Sequence, residues 1–429
     1  MQNQIRTGYK QTEVGAIPED WRIATLGELC AFENGDRGVN YPSGNDFVAS
    51  GIPFVNAGHL GLGKIKTDKL DYITRSKFEI LGNGKFQPND VLFCLRGSLG
   101  KFAVVGVDTP EGAVASSLII IRPRPKALTV QFFVSYLGSK ICSEMIDLWA
   151  GGAAQPNLGG RELARFLVPI PPAIEEQRAI AEALSDADGL LAALEAIVAK
   201  KRDLKQAAMQ RLLTGKTRLP GFSGGWRVKR LGDHVRFLKN GTLSRAQLTF
   251  DATVKYLHYG DIHGSASLWL HPESAGMPCV NPDLVASLDR LEVGDLIFAD
   301  ASEDLHGVGK SIEVSDCSGS EVVSGLHTIA ARFDKEILAD GFKAYLQFMP
   351  PFRDHLKSMA AGTKVLATNR KHIGSAVLAL PEPPEQTAIA EVLSDMDADL
   401  AALDAQVAKA RAVKKGMMQE LLTGKVRLI

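Results

Sequence analysis

Several short stretches contain residue types that could do chemistry, but none completes a catalytic motif. The stretch GVGKS at 307–311 is similar to the end of a phosphate-binding loop, whose full pattern needs a glycine where Asp304 stands. GKT at 215–217 fails in the same way, because the position that needs the glycine is Gln210. LRGSLG at 95–100 lacks the GxSxG spacing of a nucleophile elbow. These stretches therefore predict neither a phosphate loop nor a serine nucleophile.

Metal and methyl-transfer chemistry also lack their residue sets. His258 and His263 lie five positions apart, but no cluster of cysteine, histidine and carboxylate residues follows nearby, so we predict no metal site. An adenine methyltransferase needs an Asn/Asp-Pro-Pro-aromatic box and a glycine-rich cofactor loop, and PIPP and PEPP are not substitutes. We predict that the chain is not an enzyme on its own.

The composition is that of a cytoplasmic globular protein without a basic surface excess. The 429 residues are 45% apolar, which is enough for real cores, and the formal net charge is zero. No apolar run approaches the roughly 18 residues of a membrane span, and the first residues lack the apolar core of a signal peptide. The five cysteines, which form no CxxC pair and predict reduced thiols, are Cys30, Cys94, Cys142, Cys279 and Cys317. Because a nucleic-acid binder is expected to show a basic footprint, any DNA contact here must use local charge or a partner's charge.

The most informative feature is an internal repeat. EQRAIAEALSDAD at 176–188 returns as EQTAIAEVLSDMD at 385–397, and an ungapped shift of 209 aligns 176–219 with 385–428 at 29 of 44 identical positions. The segments before each copy match only weakly, as WRIATLGEL at 21–29 against WRVKRLGDH at 226–234 shows. Two copies at so long a period indicate duplication of a large unit. The helical parts must do the same job twice, and the globular parts related but different jobs.

Both well-matched segments have the heptad spacing of a coiled-coil seam. The predicted seam residues are Leu184, Leu191, Leu194, Val198, Leu212, Leu393, Met396, Leu400, Leu403, Val407, Met417 and Leu421. Lys201, Lys205 and Lys414 interrupt this stripe. Each helix should span roughly 40 residues, or about 60 Å, beginning after a Pro-Pro pair and ending at a C′ glycine.

Charge changes along each helix from acidic at the start to basic at the end. Glu175 to Asp188 precede Lys200 to Arg211 in the first copy, and the second copy repeats the trend. This gradient suits antiparallel packing of the two copies, with each acidic start beside a basic end. An ordinary solvated face with ends favoured by the helix dipole is the alternative. We favour the intramolecular antiparallel pair because the chain contains two matched seams.

The globular parts mix sheet-like and helical patterns. Apolar runs such as VLFCL and DLIFAD lie between turn residues, whereas 130–150 is typical of a helix. We predict an α+β protein with a pseudo-two-fold internal repeat, in which two mixed α/β domains are separated by two long antiparallel coiled-coil helices. The predicted segments are 1–170, 171–219, 220–380 and 381–429.

The whole chain resembles the specificity (S) subunit of type I restriction-modification systems. The resemblance rests on GYKQTEVGAIPEDWRIATLGEL at 8–29, PIPP…EQRAIAEALSDAD at 169–188 and LLTGKTRLPGF at 212–222, with the last two repeated at the C-terminal end. The second copy departs slightly, because its PPEQT is shorter between the proline pair and Glu-Gln.

This resemblance implies that 1–170 and 220–380 are target-recognition domains, each reading one half of a split, asymmetric double-stranded DNA site. It implies that the helices at 171–219 and 381–429 set the spacing and dock two methyltransferase (modification) subunits, with restriction/translocase subunits as further partners. Two half-sites on one face of DNA lie about one turn, roughly 34–36 Å, apart. No cofactor is implied in this chain, whereas S-adenosylmethionine, ATP and Mg are expected on the partners. The implied location is cytoplasmic, with no membrane contact.

Given this role, polar residues in loops at matching places are candidates for contacts with bases and phosphates. In the first domain they are Asn56, His59, Arg96, Ser98, Lys101, Gln155, Asn157 and Arg161. In the second domain they are His258, Tyr259, His263, His306, Lys310, Lys364, Thr368, Asn369, Arg370 and Lys371. The NRKH stretch at 369–372 is the strongest local basic patch.

Two other functions remain open from the sequence. One is a coiled-coil assembly scaffold that never contacts DNA, which the neutral charge favours. The other is the specificity subunit of a related system whose partner both cuts and methylates. The target sequence and the spacer length cannot be derived from the residues, because part of the recognition can depend on DNA shape.

Overall fold

The structure is a computed structural model that describes residues 6–61, 63–109, 111–151, 156–273, 276–317, 319–360, 362 and 365–428. It divides into two compact units. The first unit comprises Met1–Glu195 and Gln406–Ile429, and the second comprises Ala196–Ala405. Each unit therefore contains one globular domain, the start of one long helix and the end of the other.

The first domain contains fifteen strands and five short helices among its described residues. The strands are β1 (Tyr9–Thr12), β2 (Gly15–Pro18), β3 (Arg22–Thr25), β4 (Cys30–Asn34), β5 (Phe47–Val48), β6 (Ile52–Val55), β7 (Leu60–Gly61), β8 (Gly63–Ile65), β9 (Asp71–Ile73), β10 (Lys85–Phe86), β11 (Val91–Cys94), β12 (Phe102–Val104), β13 (Gly112–Val114), β14 (Leu118–Pro123) and β15 (Leu167–Ile170). The helices are α1 (Leu26–Leu29), α2 (Arg75–Ile80), α3 (Val130–Leu137), α4 (Lys140–Trp149) and α5 (Gly160–Leu163), and the long α6 (Ile174–Leu212) follows.

The second domain contains twelve strands and three short helices among its described residues. The strands are β16 (Arg227–Arg230), β17 (Val235–Phe237), β18 (Val254–Leu257), β19 (Trp269–Leu270), β20 (Cys279–Val280), β21 (Leu296–Ala299), β22 (Ala301–Ser302), β23 (Ser311–Val314), β24 (Glu321–Ser324), β25 (Thr328–Phe333), β26 (Leu366–Ala367) and β27 (Val377–Leu380). The helices are α7 (Tyr259–Gly264), α8 (Pro350–Met359) and α9 (Arg370–Ser375), and the long α10 (Pro383–Leu421) follows.

The main sheets of the two domains share one order of five strands, and the first has β7 as a sixth. The main sheet runs β4-β14-β11-β12-β8-β7 in the first domain and β17-β25-β21-β23-β19 in the second. Each domain also has a smaller sheet that contains one parallel strand pair, β13 with β6 in the first domain and β24 with β18 in the second. A two-stranded sheet closes each domain, β3 with β15 and β16 with β27. The α+β class and the duplicated plan are therefore confirmed, although the segment boundaries given above stay a prediction.

A buried carboxylate supports the central strand of each main sheet. Asp90, which is 1% exposed, accepts two 2.7 Å hydrogen bonds from the Arg122 guanidinium. Asp295 does the same with Arg332, also at 2.7 Å. The preceding turn needs a left-handed residue, and this position is Asn89 (φ +71°) in one domain and Gly294 (φ +90°) in the other. Asn and Gly are the residues that adopt this conformation at least cost.

The long helices pack in antiparallel fashion. Each is 39 residues long, in agreement with the predicted length. All twelve predicted seam residues are buried or half-buried, whereas most of the positions between them are exposed. Leu184 and Leu421 belong to the core of the first domain, and Leu212 and Leu393 to that of the second. Each globular domain is thus packed directly onto the start of one long helix and the end of the other.

An ion pair between the two repeated motifs fixes this arrangement in each unit. In the first unit, Glu176 of the Glu-Gln motif is 1% exposed and receives Nη2 of Arg427 at 2.8 Å. In the second unit, Glu385 is 2% exposed and receives Nη2 of Arg218 at 2.6 Å. The second pair repeats the first after the 209-residue shift, with the roles of the two helices exchanged. We call each pair a clasp.

The glutamine beside each glutamate joins the helix to its globular domain. Gln177 accepts the Thr129 backbone N–H at 2.9 Å and donates to the Ala127 carbonyl at 3.0 Å. Gln386 likewise accepts the N–H of Ala339 at 2.9 Å and donates to the carbonyl of Ile337 at 2.7 Å. These contacts satisfy otherwise unpaired buried backbone groups. The Glu-Gln motif therefore joins the opposite helix through its carboxylate and the domain through its amide.

Further ion pairs repeat along the helices with the same symmetry. The first unit contains Asp188–Lys414 and Glu195–Arg411, and the second contains Asp397–Lys205 and Asp404–Arg202. Two of the lysines that interrupt the predicted stripe are therefore members of repeated ion pairs. Exposed pairs of this kind contribute little stability, about 0–1 kcal/mol each, but they specify which residues lie opposite each other. Lys201–Asp399 has no counterpart, because the equivalent residues are Ala410 and Leu190.

Two sequence predictions about helices were wrong in detail. The segment at 130–150 forms two helices, because α3 ends at Leu137 and Ser139 caps α4 by accepting the N–H of Cys142. Pro383 and Pro384 do not precede α10 but form its first turn, where the missing proline N–H would have no helical partner anyway. Because the two prolines form the first turn of the helix itself, the second copy has no residues between its proline pair and Glu385.

No helix among the described residues combines the length and the apolar character that a membrane crossing requires.

Removing the charge of a clasp should loosen the second domain from its helix. We expect Glu385→Gln to lower the free energy of opening at the α10 start by about 2 kcal/mol, because the buried side chain loses the charge that pairs with Arg218. The control is Glu382→Gln, which removes an ion pair in which both partners are more than half exposed and should change it by less than about 0.5 kcal/mol. Hydrogen exchange of the 376–393 segment measures both, and equal protection in the two variants would contradict the clasp.

Arg332 is bound by a buried carboxylate, Asp295, and by an exposed one, Glu292, so their contributions to stability can be compared on the same arginine. Asp295→Asn should lower the free energy of unfolding by about 3 kcal/mol, because Asp295 is buried and holds Arg332 through two bonds. Glu292→Gln removes a contact to the same arginine from a 68% exposed carboxylate and should cost less than about 1 kcal/mol. Urea unfolding gives both values, and a ranking opposite to this one would show that Glu292 holds the arginine.

Candidate DNA interface

Five candidates of the first domain lie at one end of its main sheet. Arg96 follows β11 and forms a backbone bridge with Asn157. Ser98 and Lys101 lie in the same loop, where the Lys101 N–H donates to the Ser98 carbonyl. Arg161 lies in α5, next along the chain from Asn157. All five side chains are exposed. This end of the sheet therefore offers hydrogen-bond donors and cations to a ligand.

Asn56 and His59 reach the same end but are occupied with local structure. Asn56 accepts the N–H of Gly58 at 2.8 Å and donates to Asp71 at 3.0 Å. His59 is 8% exposed, and its Nδ1 accepts the Asn56 N–H at 3.2 Å. Both residues shape the turn that follows β6, and the half-buried Asn56 is the more accessible of the two.

In the second domain, four candidates surround one pocket of roughly 800 Å³. Tyr259, His263, His306 and Lys310 all line it. His327 lines it too, with its ring 5.4 Å from that of Tyr259. The sequence analysis missed His327, which has φ +56° and lies in the turn between β24 and β25. A non-glycine residue in the left-handed region is uncommon, but nothing in the sequence marks it.

Lys310 of this pocket and His258, the residue before Tyr259, are partly committed to structure. The ammonium of Lys310 donates to the carbonyls of His263 and Ser265 at 2.7 and 3.2 Å, and burial lowers its pKa. His258 caps α7 by accepting the Gly260 N–H at 3.3 Å. Burial, and secondarily the charge of Arg245, lower the pKa of His258, which favours the neutral ring. Lys310 is thus held by two backbone carbonyls and His258 by the first turn of α7, so both side chains have a structural role.

The NRKH stretch divides in the same way. Asn369 caps α9 by accepting the His372 N–H at 3.0 Å, and Arg370 donates to the Leu238 carbonyl at 2.8 Å. Thr368 is 6% exposed and its hydroxyl has no hydrogen-bond partner among the described residues. Lys371 is exposed, and no hydrogen bond or ion pair joins it to another described residue. It is the cation of this stretch that is available to a ligand.

The two domains place equivalent residues in equivalent positions. The Leu158 N–H donates to Leu95 O at 2.9 Å, and the Thr368 N–H donates to Asp300 O at 2.8 Å. Arg161 lies three residues after Leu158, and Lys371 lies three residues after Thr368, so these two cations occupy equivalent positions. Lys101 and Lys310 correspond likewise, since their carbonyls accept from the last residues of β11 and β21 at 2.8 and 2.9 Å. Cations thus recur on loops whose sequences differ.

Some residues fall outside these descriptions. Gln155 and Lys364 lie outside the described residues. Asn34, Arg37 and Asn83 were not predicted, but they line a polar pocket of roughly 490 Å³ beside Arg96 and Asn157. Asn34-Gly35 recurs as Asn240-Gly241 in the second domain, but a match of two residues is too short to mark a site in the sequence. Within the described ranges, no three His, Cys, Asp or Glu side chains are grouped so that they could hold a metal ion.

Comparison with known proteins finds similarity to specificity subunits of type I restriction enzymes. Residues 18–204 match the model of the type I restriction modification DNA specificity domain. The chain is 24% identical to the putative type I restriction enzyme MjaX specificity subunit of Methanocaldococcus jannaschii, over 98% of this chain and 97% of that one. It is 23% identical to the type I restriction enzyme EcoKI specificity subunit of Escherichia coli, over 95% and 89% of the two chains.

Solved structures agree with this result at the level of the fold. The S subunit of a type I restriction-modification system from M. genitalium superposes with a TM-score of 0.57 over 97% of both chains, at 14% identity. A chain from a structure of type I restriction-modification complex assembly and conformational transition gives a TM-score of 0.59 over 96% of this chain and 99% of that one, at 17% identity. Residues 18–204 are thus similar to the type I restriction modification DNA specificity domain, and nearly the whole chain is similar to curated specificity subunits of type I restriction enzymes.

Proposed function

We propose that this chain is the DNA-reading subunit of a type I restriction-modification complex and has no catalytic step of its own. Each globular domain reads one half of a bipartite, asymmetric double-stranded site. The helix pair sets the spacing between the half-sites and docks two methyltransferase subunits, which work with restriction/translocase subunits. The complex acts in the cytoplasm, and S-adenosylmethionine, ATP and Mg belong to the partners.

The observation that carries this proposal is the contrast between the helices and the loops. The clasps and further ion pairs recur after the 209-residue shift, whereas the loops at the sheet ends differ in almost every side chain. A conserved frame supports binding of the same partner twice, and varied polar loops support recognition of different base edges. Arg161 and Lys371 supply cations at equivalent places, which supports phosphate or base contact by both domains.

The proposal assigns each domain to one half of the target, so single variants should affect one half each. Arg161→Ala in the first domain and Lys371→Ala in the second should each weaken DNA binding by about fivefold to a hundredfold, depending on whether a phosphate or a base contact is lost. Loss of a phosphate contact should also lower the slope of log affinity against log salt by about one.

The control is Lys126→Ala, which lies in the first domain beyond the opposite end of β14 from these loops and should leave binding unchanged. The readout is genome-wide N6-methyladenine after co-expression with the neighbouring methyltransferase gene in a host lacking adenine methylation, together with DNA binding by the purified complex. Methylation without a two-part motif, or equal effects of all three variants, would favour an assembly scaffold that does not contact DNA. A two-part motif made by a partner that also cleaves would assign the chain to a system with a fused nuclease-methyltransferase.

A further inference from the structure

The two units differ where the globular domain meets the first turns of its long helix. In the second unit, Trp269 of β19 lies edge-on to Tyr345, with ring centroids 5.9 Å apart. The indole covers Gly341, where an added Cβ would lie 3.9 Å from the ring and 3.6 Å from Ala390 of α10. The hydroxyl of Tyr345, which is fully buried, donates to Asp397 of α10 at 3.1 Å. Aromatic side chains therefore fill the space between this domain and α10.

The first unit has small or flexible residues at the same positions. Val104 and Glu313 occupy the same place on the two main sheets. Lys64 lies opposite Val104, and Trp269 lies opposite Glu313, so Lys64 and Trp269 are equivalent. The contacts of the two glutamines align Ser135 with Tyr345. An exposed lysine and a half-buried serine thus replace the two aromatic rings.

The result is an open cleft of roughly 860 Å³ in the first unit. Its size is within the range of about 300–1,000 Å³ that is usual for binding pockets. The half-buried Val104 and Val134 and the buried Ala181 give it an apolar floor. Glu182 and Asp186, one turn apart on α6, give it an acidic wall, and neither forms an ion pair with another described residue. The cations Lys64 and Arg178 also line the cleft, but its carboxylates outnumber them by four to two. The cleft is not filled by any described part of this chain.

We propose that this cleft receives a large apolar or aromatic side chain, flanked by basic residues, from one docked methyltransferase subunit. The second unit shows the kind of group that fits, because there the chain itself supplies an indole and a phenol at the same place. The acidic wall complements a basic flank. The inference rests on the proposed function and deepens it, since the equivalent cleft of the second unit is already filled. The two methyltransferase copies are then held differently, and only one of them inserts this segment.

Filling the cleft tests this asymmetry in the full chain with its methyltransferase. Ser135→Tyr introduces the side chain that stands at position 345, and it should weaken uptake of one methyltransferase copy by about tenfold or more while the other copy binds as before, as expected for loss of a buried anchor. Ser135→Ala, which removes the hydroxyl without filling the cleft, is the matched control and should stay within about twofold. Native mass spectrometry across a methyltransferase titration separates complexes with one and two copies.

A second variant tests the charge and does not depend on packing. Glu182→Gln with Asp186→Asn should weaken the same copy by about threefold to tenfold at low salt, whereas Glu175→Gln, an exposed carboxylate of the same helix outside the cleft, should not. Equal uptake of two copies by all variants overturns the inference and leaves the proposed function intact. A wild-type chain that binds no methyltransferase overturns both, and a dimer of the chain alone that Ser135→Tyr dissolves assigns the cleft to a second copy instead.

Discussion

The ion pair between the glutamate that opens one long helix and the arginine that follows the other is the contact on which the architecture depends. Glu176 with Arg427 and Glu385 with Arg218 join residues that are far apart in sequence. Each carboxylate is almost fully buried, so the pair is favourable only when the opposite helix supplies its arginine. The clasp therefore links antiparallel helix packing to the folding of each domain, since the adjacent Gln177 and Gln386 bind the domain backbone.

Once the frame is fixed in this way, the loops are free to vary. The main sheets keep their strand order, and a buried Asp–Arg pair supports each central strand. The exposed cations Arg161 of α5 and Lys371 of α9 lie at equivalent positions at one end of each sheet. This arrangement reconciles a formal net charge of zero with DNA contact, because positive charge is needed only at that end. The frame is also not perfectly symmetric, as Trp269 and the open cleft of the first unit show.

Much of the frame could be predicted from the sequence because the repeat itself carries the information. Seam spacing predicted the helices, and the charge gradient favoured antiparallel packing. The role of Gln177 could not be predicted, since its partners are backbone groups nearly fifty residues earlier in the chain. The different roles of Asn369, Arg370 and Lys371 could not be predicted either. Polar residues look alike in sequence whether they cap a helix or face a ligand. His327 and the residues around Asn34 were missed because no recognisable motif marks them.

The central claim is that one frame presents two independent DNA-reading domains. The most direct test is a chain in which residues 226–380 also replace residues 21–170, joined at the equivalent tryptophans and at the ends of β15 and β27. Methylome sequencing of this chain with its methyltransferase should give a motif built from one half-site used twice, with the original gap between the halves. A folded complex that still methylates the original asymmetric motif, or that shows no sequence preference, would contradict the account.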